Sequence, residues 1–266
     1  MRAGLLLCLA LLVVPRAHAA DERPAALRDV GYDQHVGEQL PLDLRFTDEN
    51  GSTVRLGDYF GGKPVVLVPA YYRCPMLCPL VQSGISSALR ALAFDVGREF
   101  TVVTFSFDPG DTPAQAAARK AVALADYRRP GAEAGWHFLT GDETAIRALT
   151  RAIGFRYAWD DAARQFAHAS GVVVATPDGH LARYFLGIEY APKDLRLALV
   201  EASAGRIGSV VDQLLLFCFH YDPATGRYSR VAMDAMRAAG VVTLLALGGF
   251  VGVMLRREAR RGARTA

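Results

Sequence analysis

Along this chain, short unbroken apolar runs alternate with amphipathic stretches. Residues 63–71 and 100–107 are almost continuously apolar, as expected of strands covered on both faces. Between them, Ile85, Leu89 and Leu92 recur at helical spacing within 81–94. Residues 40–46 and 53–56 flank Asp48-Glu-Asn-Gly51 and predict a hairpin closed by an Asn-Gly turn. Asp111-Thr-Pro-Ala opens a helix with a cap and an early proline, continuing to Ala125. A short strand over 136–139 and a helix over 142–153, stopped by Gly154, come next. Residues 171–175 and 181–186 flank Pro177-Asp-Gly179 as a second hairpin, and 193–202 forms the last helix of this part.

The resulting order is hairpin, then strands and helices in alternation, then an antiparallel close, which defines an α/β domain over 29–205. That length suffices for one well-cored domain. The ends have a different character. Residues 1–19 read as a secretory signal, with Arg2, an apolar stretch over 4–14 and the small-residue site Ala17-His18-Ala19. Residues 20–28 are a polar leader. Residues 238–255 form an uncharged apolar run, about 27 Å long as a helix, and the basic tail 256–266 follows. The expectation is a C-terminal transmembrane helix with Arg256, Arg257, Arg260, Arg261 and Arg264 on the cytoplasmic side. The main domain then lies in a bacterial-type periplasm, joined through a juxtamembrane segment at 206–237.

The net charge of +3 is modest, and no basic patch interleaved with aromatics argues for nucleic acid. Of the four cysteines, Cys8 falls in the signal, leaving Cys74, Cys78 and Cys218. An odd count in an oxidising compartment argues against a disulfide scaffold and asks for a chemical use of the thiols.

Cys74-Pro-Met-Leu-Cys78 follows the first apolar strand and opens the next helix, the arrangement of a thioredoxin-like fold. A helix start favours thiolates, because free N–H groups and the macrodipole attract negative charge. Pro79 disfavours helical geometry at Cys78, so Cys78 is either a helical residue or the cap of a helix beginning at Pro79. Both versions place the two sulfurs near one helix end. Two thiolates suit Cu(I), and a third donor separates a metal site from a bare redox pair. Among the histidines, His35 lies before the first hairpin, His137 in a core strand and His180 after a turn. His168 stands in a loop over 165–170, just before a strand whose entry faces the dithiol in a thioredoxin-like fold.

The Cys-Pro-x-x-Cys-Pro pattern, the stretch Ser106-Phe-Asp-Pro-Gly-Asp-Thr-Pro113, and a histidine before a strand ending in Pro-Asp-Gly together resemble the Sco/SenC family. The resemblance covers about residues 30–203. It implies a membrane-anchored, thioredoxin-like copper protein serving cytochrome c oxidase assembly, with Cys74, Cys78 and His168 as ligands to one copper ion. Asp108 matches an acidic residue linked in the family to metal binding or partner contact. As a residue, it reads equally as a turn-capping aspartate. The chain departs from the family's pattern in two places. Only Gly110 separates Asp-Pro from Asp-Thr-Pro, which shifts the loop, and Ala167 stands where an acidic residue often precedes the histidine.

Cys218 and His220, two apart near the apolar tail, project from one face if extended, with a turn at 222–226. They are an accessory copper-handling or docking element, or simply part of a packed hydrophobic segment. Met76 offers a thioether or an apolar lid. The leading expectation is a metallochaperone that hands copper to the dinuclear centre of a respiratory oxidase. Its partners would be the oxidase's copper-site subunit and other periplasmic copper chaperones or thiol reductases. The rival is a thiol–disulfide oxidoreductase reducing the cysteines of that site, with Cys74 and Cys78 as its redox-active pair. A peroxide-reducing relative, with Arg73 as activating cation, is a third reading.

Overall fold

The computed structural model describes residues 30–74, 77–205, 221–222, 227–228, 240–254 and 256. In chain order its strands and helices begin with β1 (Gly31–Tyr32), β2 (Arg45–Thr47), β3 (Thr53–Arg55), β4 (Val65–Ala70) and α1 (Leu77–Arg90). Then come β5 (Thr101–Ser106), α2 (Pro113–Tyr127), β6 (Trp136–Leu139), α3 (Glu143–Ala152), β7 (Phe155–Asp160) and β8 (Gln165–His168). The domain closes with β9 (Gly171–Ala175), β10 (Leu181–Leu186) and α4 (Pro192–Ser203).

The central sheet runs β10-β9-β4-β5-β6. Strands β4, β5 and β6 are parallel, whereas β9 runs against β4 and β10 against β9. Alternate residues of each strand point to opposite faces, so the apolar runs feed two cores. Val66, Val68, Val102, Phe138 and Val174 meet Ile85 and Leu89 of α1, Tyr127 of α2 and Leu195 of α4. On the opposite face Leu67, Val103, Phe105 and Val173 meet Ile146 and Leu149 of α3, together with Phe107, Phe155 and both cysteines. Each fully buried aliphatic or aromatic side chain contributes about 1.5–3 kcal/mol. This is a mixed α/β, thioredoxin-like architecture.

The helix ends follow local chemistry. Thr112, not Asp111, caps α2: Gln115 N–H donates to Thr112 Oγ1 at 3.4 Å and Thr112 N–H to Gln115 Oε1 at 2.7 Å. Pro113 fits the first turn, where its missing N–H has no helical partner to lose. Gly154 ends the α3 segment at φ +61°, and a Cβ there would lie 1.7 Å from Asp33 O, so no other residue fits without moving the chain. The β2–β3 hairpin forms as expected, with Phe46 opposite Val54 and Gly51 at φ +83°.

Two expectations change here. Residues 155–168 contain an antiparallel hairpin, β7–β8, which joins β1 in a second, three-stranded sheet. His168 is therefore the last residue of β8, opposite Tyr157, rather than a loop residue. The C-terminal transmembrane helix is the other correction. Helical geometry is described over 240–254 and at 256. No helix among the described residues is long and apolar enough to cross a membrane. The inner-membrane localisation that rested on that helix, with its outside domain and cytoplasmic C-terminus, falls with it.

The signal at 1–19, the leader at 20–28 and Met76 lie outside the described residues, as do Cys218 and His220. Near the last pair, Tyr221–Asp222 (β11) and Arg227–Tyr228 (β12) pair antiparallel, Tyr221 opposite Tyr228, while 223–226, where most of the expected turn falls, lie outside the described residues.

Candidate metal centre

Cys78 is the second residue of α1, with Pro79 inside the first turn, where its lack of an N–H leaves no helical bond unmade. Cys74 sits just beyond β4, its N–H donating to Tyr71 O at 3.2 Å. The Cys78 N–H points back to Cys74 Sγ at 3.3 Å, and the Tyr71 N–H to Cys78 Sγ at 3.5 Å. Backbone donors thus converge on both sulfurs, the help that a strand-to-helix junction gives a thiolate. Both cysteines are free thiols and buried, 5% and 8% exposed. A hydrogen bond to Cys74, burial and the Cys74 charge, in that order, push the Cys78 thiol far above its ordinary value.

The β7–β8 hairpin brings His168 over this pair, Nε2 3.5 Å from Cys78 Sγ. On its other side Nδ1 lies 2.8 Å from Ala169 O. A carbonyl can only accept, so Nδ1 carries the proton and Nε2 keeps its lone pair toward the sulfurs. Phe107, Tyr71 and Phe155 flank the half-buried imidazole with ring centroids 5.1, 6.0 and 6.3 Å away. The donor atoms of Cys74, Cys78 and His168 all lie within 4.8 Å of one another. Sulfur and imidazole bond zinc at about 2.0–2.3 Å, so three donors around one ion stand about 3.5–4 Å apart. The group fits one metal ion with little movement, and two sulfurs with a neutral imidazole favour a soft one.

Asp108 is not one of these donors. Its Oδ1 accepts the Gly110 N–H at 2.8 Å and its Oδ2 pairs with Arg73 at 2.5 Å, which is the turn-capping role with an ion pair added. Arg73 also binds Asp111 at 3.1 Å, and buried Asp111 receives the Tyr72 N–H and the Ser106 hydroxyl, each at 2.6 Å. Gly110 lies against this cluster: a Cβ there would stand 2.8 Å from the Arg73 guanidinium. Arg73 is thus committed to two carboxylates, which removes the activating cation of the peroxide reading. Arg119 of α2 adds a second brace, donating to Tyr72 O at 2.7 Å and to Cys74 O at 3.4 Å.

His35 and His180 are elsewhere, bound to Ala152 O and Asp178, and His137 stacks on Tyr59. Sequence reasoning missed the bracing residues Asp111 and Arg119 and the aromatic wall at Phe107. It also missed the hairpin, although Phe155, Tyr157 and Trp159 at every second position were a legible strand signal.

A buried dithiol at a strand-to-helix junction, faced by a histidine from an added hairpin, defines a thioredoxin-like protein equipped for metal rather than only for redox exchange. The SCO1/SenC family description matches residues 33–201, and the chain belongs to that family. Among solved structures it is similar to two from Aquifex aeolicus VF5. One, a candidate electron transfer protein, shares 28% identity at TM-score 0.56, over 64% of this chain and 95% of that one. The other, a candidate electron transport protein, shares 27% at TM-score 0.53, over 64% and 99%. A SCO1/SenC family lipoprotein from Bacillus anthracis str. Ames shares the fold, with 19% identity, TM-score 0.50 and coverage of 69% and 99%. A comparison with curated proteins returned no match.

Proposed function

We propose that this chain is a copper metallochaperone of cytochrome c oxidase assembly. Cys74, Cys78 and His168 hold one copper ion as cargo, for delivery to the oxidase's dinuclear copper centre. The observation that carries this reading is the set of three donors within 4.8 Å, in a chain of the SCO1/SenC family. A low-coordinate soft site of this kind binds firmly yet passes its ion by ligand exchange, one sulfur or nitrogen at a time. The protein's own part is to set the Nδ1–H tautomer through Ala169, which turns the Nε2 lone pair to the ion, and to direct N–H groups at both sulfurs.

The test is a competition titration of the reduced full chain with Cu(I) against a chromophoric chelator. The expected result is one ion per chain and at least about tenfold weaker binding in His168→Ala. Equal affinity in that variant sinks the three-donor assignment.

One observation favours a second reading, a thiol–disulfide reductase acting on the oxidase's cysteines. The two thiols are not joined in a disulfide, and the Cys78 N–H points at Cys74 Sγ at 3.3 Å, the adjacency that a reducing pair requires. Metal-free reduction of a partner disulfide at a rate unaffected by His168→Ala would favour it over the chaperone.

A further inference from the structure

Arg119 projects from α2 to the segment that leads from β4 into the dithiol. Its Nε donates to Tyr72 O at 2.7 Å, its Nη2 donates to the same oxygen, and Nη2 also reaches Cys74 O at 3.4 Å. Tyr72 has other anchors. Asp111 Oδ2 accepts its N–H at 2.6 Å, and its hydroxyl donates to Leu139 O at 2.7 Å. What the guanidinium adds is the link onward to Cys74, whose Sγ accepts the Cys78 N–H at 3.3 Å. Between α1 and α2, Arg119 and Cys78 line one cavity of about 100 Å³ with Pro79 and Gln82. The fixed positive charge thus lies close to the second cysteine as well.

We propose that Arg119 is a positioning residue of this centre, its guanidinium fork holding the main chain at 72 and 74 so that the Cys74 sulfur stays where the Cys78 N–H points. A planar fork is pre-organised, so it grips two carbonyls at less entropic cost than a flexible ammonium. Cys74 then meets an incoming ion without a search of backbone conformers. Two thiolates around one Cu(I) also leave a net negative charge, which a nearby guanidinium favours. The copper consequence rests on the function proposed above; the main-chain consequence does not.

The experiment compares two variants of the full chain: Arg119→Met, which keeps the aliphatic stem and removes the fork, and Arg119→Lys, which keeps the charge. Amide exchange at Tyr72 and Cys74 is read by NMR on the reduced, metal-free chain, and Cu(I) affinity by chelator competition. Losing hydrogen bonds from a charged group should speed exchange at both amides about tenfold in Arg119→Met, with Leu89 of α1 unchanged. Cu(I) should bind at least about tenfold more weakly. Arg119→Lys should recover part of both losses. Arg147→Met is the control: that guanidinium pairs with exposed Glu143 on α3, and both readouts should stay at wild-type values. Wild-type exchange at Cys74 in a folded Arg119→Met protein overturns the proposal. So does faster exchange with full copper affinity, which would make Arg119 a brace of the fold alone. Should Arg119→Met not fold, Arg119→Lys carries the test, and wild-type exchange and affinity there overturn it. A wild-type chain that takes no copper defeats the function instead, while faster exchange in Arg119→Met would still support the grip on Cys74.

Discussion

A neutral histidine offers a metal only one nitrogen, and at His168 the Ala169 carbonyl decides which. The assignment depends on a single backbone contact made where β8 ends, so shifts of the chain at Ala169 should weaken binding as much as changes to the ring. His137 shows the opposite use of the same side chain. It is half-buried against Tyr59, with centroids 4.4 Å apart, and burial holds its pKa below the ordinary histidine value. The unfolded chain therefore takes up a proton near pH 6.5 that the folded chain refuses, so stability falls as pH drops below 6.5. Urea midpoints at pH 7.5 and 5.5 should show this loss, and His137→Phe should flatten it. A pH dependence identical in the variant would refute the assignment. Cys74, Cys78 and His168 were all legible as residue types, but the tautomer and the direction of each N–H were not, because they come from neighbours brought in by folding.

At the scale of elements, the site depends on two hairpins of different origin. The β2–β3 hairpin is fastened by Glu49, which pairs with Lys120 of α2 at 2.5 Å and accepts the Phe138 N–H of β6 at 2.9 Å. Its carboxylate is 6% exposed and the ammonium 16%, so removing one partner strands the other away from water. Glu49→Ala should cost about 3 kcal/mol in urea denaturation, the low end for a broken buried pair. The Thr112 cap is a milder case: Thr112→Ala should cost about 1 kcal/mol by the same measurement. The β7–β8 hairpin carries His168, and its aromatic face, Tyr157, Trp159 and Phe166, is set by cross-strand pairing of Tyr157 with His168 and Trp159 with Phe166. The strong apolar runs of the central sheet announced themselves in the sequence. The first strand of this hairpin was also legible, in the alternation of Phe155, Tyr157 and Trp159 with arginine, alanine and aspartate, but its packing against Phe107 and Tyr71 was not.

For the molecule as a whole, the dithiol occupies one of two cores, the one shared by α3 and the second sheet. An ion bound there links β4, α1 and β8, and binding only to the folded state adds to stability by mass action. At a free copper concentration about a hundredfold above the dissociation constant, the gain is about 2.7 kcal/mol. Thermal unfolding of the reduced chain should shift upward with Cu(I), and in His168→Ala, with binding about tenfold weaker, the shift should fall to about half or less. A full shift retained in that variant would place the ion elsewhere. At the far end, 238–255 was apolar enough to suggest a span, but no helix among the described residues is long and apolar enough to cross a membrane.

The sequence by itself determined the alternating α/β order, because each buried strand must be written as an apolar run and each covering helix as an apolar stripe. It also determined the chemistry on offer, since Cys74-Pro-Met-Leu-Cys78 and a histidine before a late strand limit what the chain can bind. Only the tertiary structure decided that His168 closes over the sulfurs from a hairpin and that Arg73 is spoken for by Asp108 and Asp111. Those are contacts between residues far apart along the chain or aimed by packing, and side-chain direction is fixed only when the surrounding core is complete.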